Sequence, residues 1–174
     1  MKFNFDEQIV FSHLAQDESA VWSLLVAGGY LKVEDVDAMN YCMNKITLAT
    51  FSYFDVGSEG AGNQEPERFY HGFVFGLIAD QTDIYEIRSN RESGFGRYDV
   101  MMFEERKNKI PDNILEFKVK IIKRSRHLKK TVQSALVQIK EKNYDAELLA
   151  RGIPKEKIRH YGFAFEEKNV LIGS

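Results

Sequence analysis

The order of hydrophobic patterns along the chain predicts an α/β fold of the α+β kind: helix, three consecutive strands, helix and two closing strands. These would build a mixed central sheet, behind a small helical segment at the N-terminus. Three observations carry this expectation. Apolar residues recur at helical spacing before residue 80 and again after residue 127. Between them lie short apolar runs punctuated by glycine and proline. The connections between those runs are short, which favours antiparallel pairing, whereas the long second helix allows a crossover back into the sheet.

The N-terminal third reads as helical. Glu18 to Gly28 carries Val21, Trp22, Leu25 and Val26 on one face, and Gly28-Gly29 ends it. A second pattern runs from about Val33 to Phe54 through Val36, Met39, Met43, Ile46 and Phe51. Residues 57–66, with three glycines, a serine and a proline, form the clearest loop. The expected organisation is therefore a helical segment over 1–56, a loop over 57–66 and a single domain over 67–174.

A helix should start near Pro66, a residue suited to a first turn, and reach about Ala79; Phe69, Phe73, Val74, Leu77 and Ile78 give it a broad apolar face. Ile84 to Glu92 is the first strand. Ser93-Gly94-Phe95-Gly96 is a turn signal, and Arg97 to Phe103 the second strand. A charged connection containing Pro111 leads to a third strand, Ile114 to Ile122. Leu128, Val132, Ala135, Leu136 and Ile139 then mark an amphipathic helix reaching about Ala150, stopped by Gly152 and Pro154. His160 to Phe165 and Asn169 to Ile172 close the sheet.

Composition narrows the function. The 174 residues are 44% hydrophobic and 29% charged, the balance of a globular chain. No apolar run approaches the roughly 18 residues of a membrane helix, and Met1 to Val10 carries no secretory signal pattern. The single cysteine, Cys42, excludes an internal disulfide and an all-cysteine metal site. A reducing, cytoplasmic setting is expected. The net charge of −2 hides a split: residues 1–66 hold 10 acids and 3 bases, a net of −7, and residues 67–174 hold 16 acids and 21 bases, a net of +5. Lys118, Lys120, Lys123, Arg124, Arg126, Lys129 and Lys130 form the densest basic stretch, which is either the footprint of a polyanion partner or a solvated helix start.

The chemistry concentrates in Ile114-Leu115-Glu116-Phe117-Lys118-Val119. On a strand, Glu116 and Lys118 point to one face and Leu115, Phe117 and Val119 to the other. Charges in an apolar strand are costly to bury without partners. Glu-x-Lys also occurs at Glu105 to Lys107 and Glu166 to Lys168, but there it lies in charged connections. Asp99 stands in another apolar strand, just after the glycine turn. A hairpin between the two strands would bring Asp99 beside Glu116 and Lys118. Two carboxylates with a carbonyl and water make a hard oxygen site for Mg²⁺ or Mn²⁺, and an adjacent lysine can position a water or offset charge on a phosphate. The same residues can equally form a structural ion pair between strands. His71 has no ligand spacing with His13, His127 or His160, and Arg88, Arg91 and Arg97 can meet phosphate or pair with Glu86 and Glu92.

Longer strings are more specific. Thr50 to Asp55, Glu67-Arg68-Phe69-Tyr70-His71-Gly72-Phe73, Tyr85 to Asp99, Leu115-Glu116-Phe117-Lys118, Gln138 to Tyr144 and Tyr161-Gly162-Phe163-Ala164-Phe165 resemble, in order, the PD-(D/E)XK nuclease-superfamily module at the C-terminal end of many bacterial AAA-ATPase-like proteins. The resemblance implies a restriction-endonuclease-like αβββαβ core and a Mg²⁺- or Mn²⁺-dependent nuclease, acting on DNA more readily than RNA; because nothing in the sequence identifies a base-reading element, little sequence specificity is expected. It implies Asp99 and Glu116 as metal ligands, Lys118 as the catalytic lysine, and Glu67 and Gln138 as further catalytic residues. His71 and Arg97 would line the cleft, and Lys120, Lys123, Arg124, Arg126, Lys129 and Lys130 would follow the nucleic-acid backbone. Tyr98 stands where the superfamily's proline is usual. Trp22 to Lys32 resembles the segment that follows the ATPase, yet no Gly-x-x-x-x-Gly-Lys-Ser/Thr loop exists in the chain. The chain is thus expected to be a shortened member whose ATPase, if any, is a separate chain. The rival reading is a non-catalytic module on the same fold, binding nucleic acid or protein.

Overall fold

A computed structural model describes residues 36–52, 64–79, 82, 85–104, 111–119 and 128–174. The helix expected over 18–28 lies outside them, as do Lys120, Lys123, Arg124 and Arg126. The elements are α1 (Val36–Thr50), α2 (Gln64–Ile78), β1 (Tyr85–Ser89), β2 (Glu92–Ser93), β3 (Gly96–Arg97), β4 (Val100–Glu104), β5 (Asp112–Val119), α3 (Leu128–Glu141), α4 (Ala146–Ala150), β6 (Ile158–Glu166) and β7 (Asn169–Gly173). All fall within one compact unit, Glu34–Ser174.

The sheet is mixed, in the order β1-β4-β5-β6-β7. β1 pairs β4 and β4 pairs β5 antiparallel, β5 pairs β6 in parallel across the α3 crossover, and β6 pairs β7 antiparallel. Side chains alternate between two packed faces. Met101, Phe103, Ile114, Ile158 and Ala164 meet Val132, Leu136 and Ile139 of α3. On the opposite face, α2 lays Tyr70 flat against Phe165, with ring centroids 4.4 Å apart, and His71 edge-on to Phe117. Phe51, just after α1, packs edge-on against both Phe69 and Phe73 of α2.

Two expected elements divide. The strand foreseen over Arg97 to Phe103 is broken at Tyr98 and Asp99. Gly96 and Arg97 instead pair with Glu92 and Ser93 as a separate hairpin, and the main sheet resumes at Val100. The hairpin is seated by its backbone: Phe95 N–H donates to the Lys142 carbonyl at 2.7 Å, and Ser93 Oγ donates to the Tyr144 carbonyl at 2.7 Å. Gly94 has a φ of +59°, and a Cβ there would run into the carbonyls of Lys142 and Asn143. The helix foreseen from Leu128 to Ala150 likewise ends at Glu141, because Asn143 turns left-handed at a φ of 51° before α4 begins. That turn is the seat of the hairpin.

α1 closes the β7 edge of the sheet with side chains. Asn44 donates to the Val170 carbonyl at 2.7 Å and accepts its N–H at 3.0 Å. Asn40 does the same with Ile172, at 2.9 and 2.7 Å. Thr47 Oγ1 donates to the Lys168 carbonyl at 2.6 Å. Residues three or four apart on a helix face thereby match residues two apart along β7 and its preceding turn, and polar groups that would otherwise face outward are paired. Cys42 is half-buried on the same helix, and burial pushes its thiol pKa up.

Candidate active site

The break before β4 gives Asp99 its position. Val100 is in register with Leu115, so Asp99 falls beside Glu116. Its Oδ2 accepts the Phe117 N–H at 2.7 Å. On β5, Glu116 and Lys118 share a face, as period two requires. Lys118 Nζ donates to Glu116 Oε1 at 3.1 Å, with the lysine side chain 28% exposed and the glutamate 2%.

Glu116 is held from the helix side as well. Gln138 Nε2 of α3 donates a short hydrogen bond to the same Oε1. α3 can come this close because the neighbour of Glu116 on β6 is Gly162, where a Cβ would lie 2.8 Å from the Val132 carbonyl. Gln138 Nε2 also donates to Tyr144 Oη at 3.1 Å, and that hydroxyl donates to the Arg97 carbonyl at 2.8 Å. A chain of hydrogen bonds thus runs from Glu116 to the hairpin that delivers Asp99. The role of Tyr144 was within reach of the sequence only as part of the Gln138 to Tyr144 string; nothing in its spacing revealed the bond to Arg97.

The electrostatics are those of two acids sharing a sparsely solvated place. Burial pushes the Glu116 carboxyl up to about 8, with the Asp99 charge adding to the rise and Lys118 opposing it. Burial also raises Asp99, opposed by the Phe117 N–H, while the charge of Glu67 adds to the rise and those of Lys118 and His71 offset it. Glu67, exposed at the start of α2, is therefore electrostatically coupled to both acids. His71, one turn later, places Nε2 3.3 Å from the Asp99 carbonyl, 3.1 Å from Ser89 Oγ and 3.2 Å from Asn90 Nδ2.

Three buried side-chain oxygens have no hydrogen-bond partner among the described residues, Glu104 Oε1, Asn113 Oδ1 and Glu116 Oε2, and the last belongs to the acid pair. A bare, sealed carboxylate oxygen is costly unless it carries a proton or meets a cation. Among the described residues, no three His, Cys, Asp or Glu side chains are grouped to hold an ion. The donor set on offer is the carboxylate pair, a hard-oxygen set suited to Mg²⁺ or Mn²⁺.

The remaining expected residues divide. Lys129 and Lys130 are exposed at the start of α3, and Arg97 is exposed on β3. Arg88 is committed elsewhere: it pairs with Glu86 at 2.5 Å and Glu147 at 2.8 Å, while Arg151 joins both acids and stacks over Phe103 with Arg88. His160 faces Asp145 at 2.6 Å. Tyr98, in the usual place of proline, is fully buried with its hydroxyl 3.4 Å from Glu147.

The family model described as the PD-(D/E)XK nuclease superfamily matches residues 65–174. That span contains all of α2 but its first residue, the whole sheet and every side chain placed around Glu116. No curated protein matches the chain.

Proposed function

The chain belongs to the PD-(D/E)XK nuclease superfamily, and we propose that it is a metal-dependent nuclease that hydrolyses phosphodiester bonds, DNA in preference to RNA, with little sequence specificity of its own. The observation that carries this reading is the pairing of Asp99 with Glu116, one of whose carboxylate oxygens is unsatisfied, with a partly exposed lysine bonded to the same glutamate.

Asp99 and Glu116 would hold Mg²⁺ or Mn²⁺. Bound there, the ion would offset phosphate charge and make a water more acidic. Lys118 is placed to orient the attacking water and to offset negative charge as it develops on the phosphate. Water adds to phosphorus as the bond to the leaving sugar oxygen breaks, giving a phosphate monoester and a free hydroxyl. Gln138 keeps Glu116 from turning away, and Tyr144 keeps Gln138 in place. Glu67 is close enough to influence both acids and would assist through water. Lys129 and Lys130, with Lys120, Lys123, Arg124 and Arg126 preceding them in the chain, supply the basic stretch that would follow the phosphate backbone. No base-reading element is identified among the described residues, and low specificity is proposed on that ground. A separate ATPase chain is the proposed partner, and the cytoplasm the proposed location. No helix among the described residues is long and apolar enough to cross a membrane.

The test is cleavage of labelled single- and double-stranded DNA and RNA with Mg²⁺ or Mn²⁺ titrated in. Cleavage that needs the ion and is lost in Asp99→Ala and Lys118→Ala supports the proposal. Ion-independent cleavage, cleavage undiminished in both variants, or no cleavage of any substrate overturns it.

A further inference from the structure

We infer that Phe95, at the tip of the β2–β3 hairpin, stacks on a nucleobase of a single strand threaded past the acids. This deepens the nuclease reading and rests on it. Phe95 is 78% exposed, the most exposed large hydrophobic side chain among the described residues. Its backbone is anything but loose. The Phe95 N–H is fixed on Lys142, Ser93 grips the Tyr144 carbonyl, and Gly94 sits with no room for a Cβ. Glu147 N–H also donates to Ser93 Oγ at 3.2 Å. The hairpin thus docks through main chain and a serine, and the aromatic ring is left facing water, where it contributes little to the fold. An aromatic side chain on a rigid support loses little conformational freedom when it meets a flat partner.

Position supplies the second argument. Phe95 precedes Asp99 by four residues, at most about 14 Å of extended chain. At roughly 3.4 Å per nucleotide along a stacked strand, that is no more than about four nucleotides. Arg97, between them, is exposed on β3 opposite Glu92, and Arg91 is exposed at the hairpin's base. A cationic side chain beside an exposed ring is the pairing that single-strand grooves use: charge for the backbone, a π-face for any base. The hydrogen bond from Tyr144 to the Arg97 carbonyl ties the hairpin that carries the ring to Gln138 and, through it, to Glu116.

The experiment measures binding of fluorescein-labelled oligo-dT, oligo-rU and a blunt duplex by anisotropy, with Ca²⁺ present. Phe95→Ala should weaken single-strand binding roughly 5- to 100-fold, with duplex binding and melting temperature unchanged. Phe95→Tyr should stay within about twofold of the wild type, and the truncation Leu149→Ala, at another exposed apolar residue, should change nothing. Equal losses for dT and rU mark base stacking, and a loss confined to one marks sugar recognition and overturns the inference. So do unchanged single-strand affinity in Phe95→Ala, loss in Phe95→Tyr, or equal loss in Leu149→Ala. If the wild type binds strands but never cuts them, the nuclease reading fails and the stacking inference stands. If it cuts and Phe95→Ala binds normally, the reverse holds. A wild type that binds no nucleic acid overturns both.

Discussion

Asp99 reaches across the β4–β5 pair to accept, at 2.7 Å, the backbone N–H of Phe117, the residue lying between Glu116 and Lys118. One carboxylate thus fixes the backbone that aims the other acid and the lysine. Its charge and its hydrogen-bonding capacity can be removed separately.

Asp99→Asn keeps an acceptor for Phe117 and loses the charge. Cleavage should fall about 100-fold or more while the melting temperature holds or rises. Asp99→Ala strands the Phe117 N–H and should cost about 1–3 kcal/mol of stability in addition. Single-turnover rates and thermal melts on both variants check the split.

Protonation of Glu116 gives a pH signature. Its carboxyl has a pKa of about 8 in the folded chain against an ordinary value of 4.5, so between those values the folded state holds more protons than the unfolded state. Stability of the metal-free protein should therefore fall as pH rises through that window, by several degrees of melting temperature. In Glu116→Gln the decline should flatten. Mg²⁺ should oppose it in the wild type, more strongly at pH 8 than at pH 6, because the ion competes with the proton.

Tyr144→Phe removes the hydroxyl between Gln138 and the Arg97 carbonyl. Activity should drop roughly 10-fold through misplacement of Glu116, with a stability loss of about 1 kcal/mol. A fall in kcat with KM nearly unchanged identifies it as a positioning residue.

Lys129 and Lys130 are exposed at the head of α3. Replacing either with alanine should lower the slope of log affinity against log salt by about one, uniformly across sequences. Binding isotherms between low and moderate salt read this directly.

Asn44→Ala leaves a donor and an acceptor of β7 unpaired and should cost about 1–3 kcal/mol. The double variant with Asn40→Ala should also self-associate, which light scattering detects.

Much of this was readable in the chain. Element order, the mixed sheet and the shared face of Glu116 and Lys118 follow from periodicities that the buried apolar residues enforce. The divisions were not readable. Tyr98 and Asp99 look like strand residues, because apolar alternation carries no mark of a hydrogen bond diverted to Arg91, whose carbonyl accepts the Tyr98 N–H. The end of α3 was hidden because Asn143 tolerates both helical and left-handed backbone. Asn40, Asn44 and Thr47 read as the polar side of an ordinary amphipathic helix, since a side chain's use as a surrogate strand depends on a sheet more than 120 residues away. Arg88 offered phosphate and carboxylate equally until Glu147 of α4 arrived from across the fold.

That surrogate strand changes what counts as the smallest self-sufficient piece of the molecule. The superfamily signature begins at residue 65, yet the groups that seal the rim of the sheet sit at positions 40, 44 and 47. A fragment trimmed to the signature would carry Asp99 and Glu116 intact and still present raw main chain to any neighbour able to zip onto it.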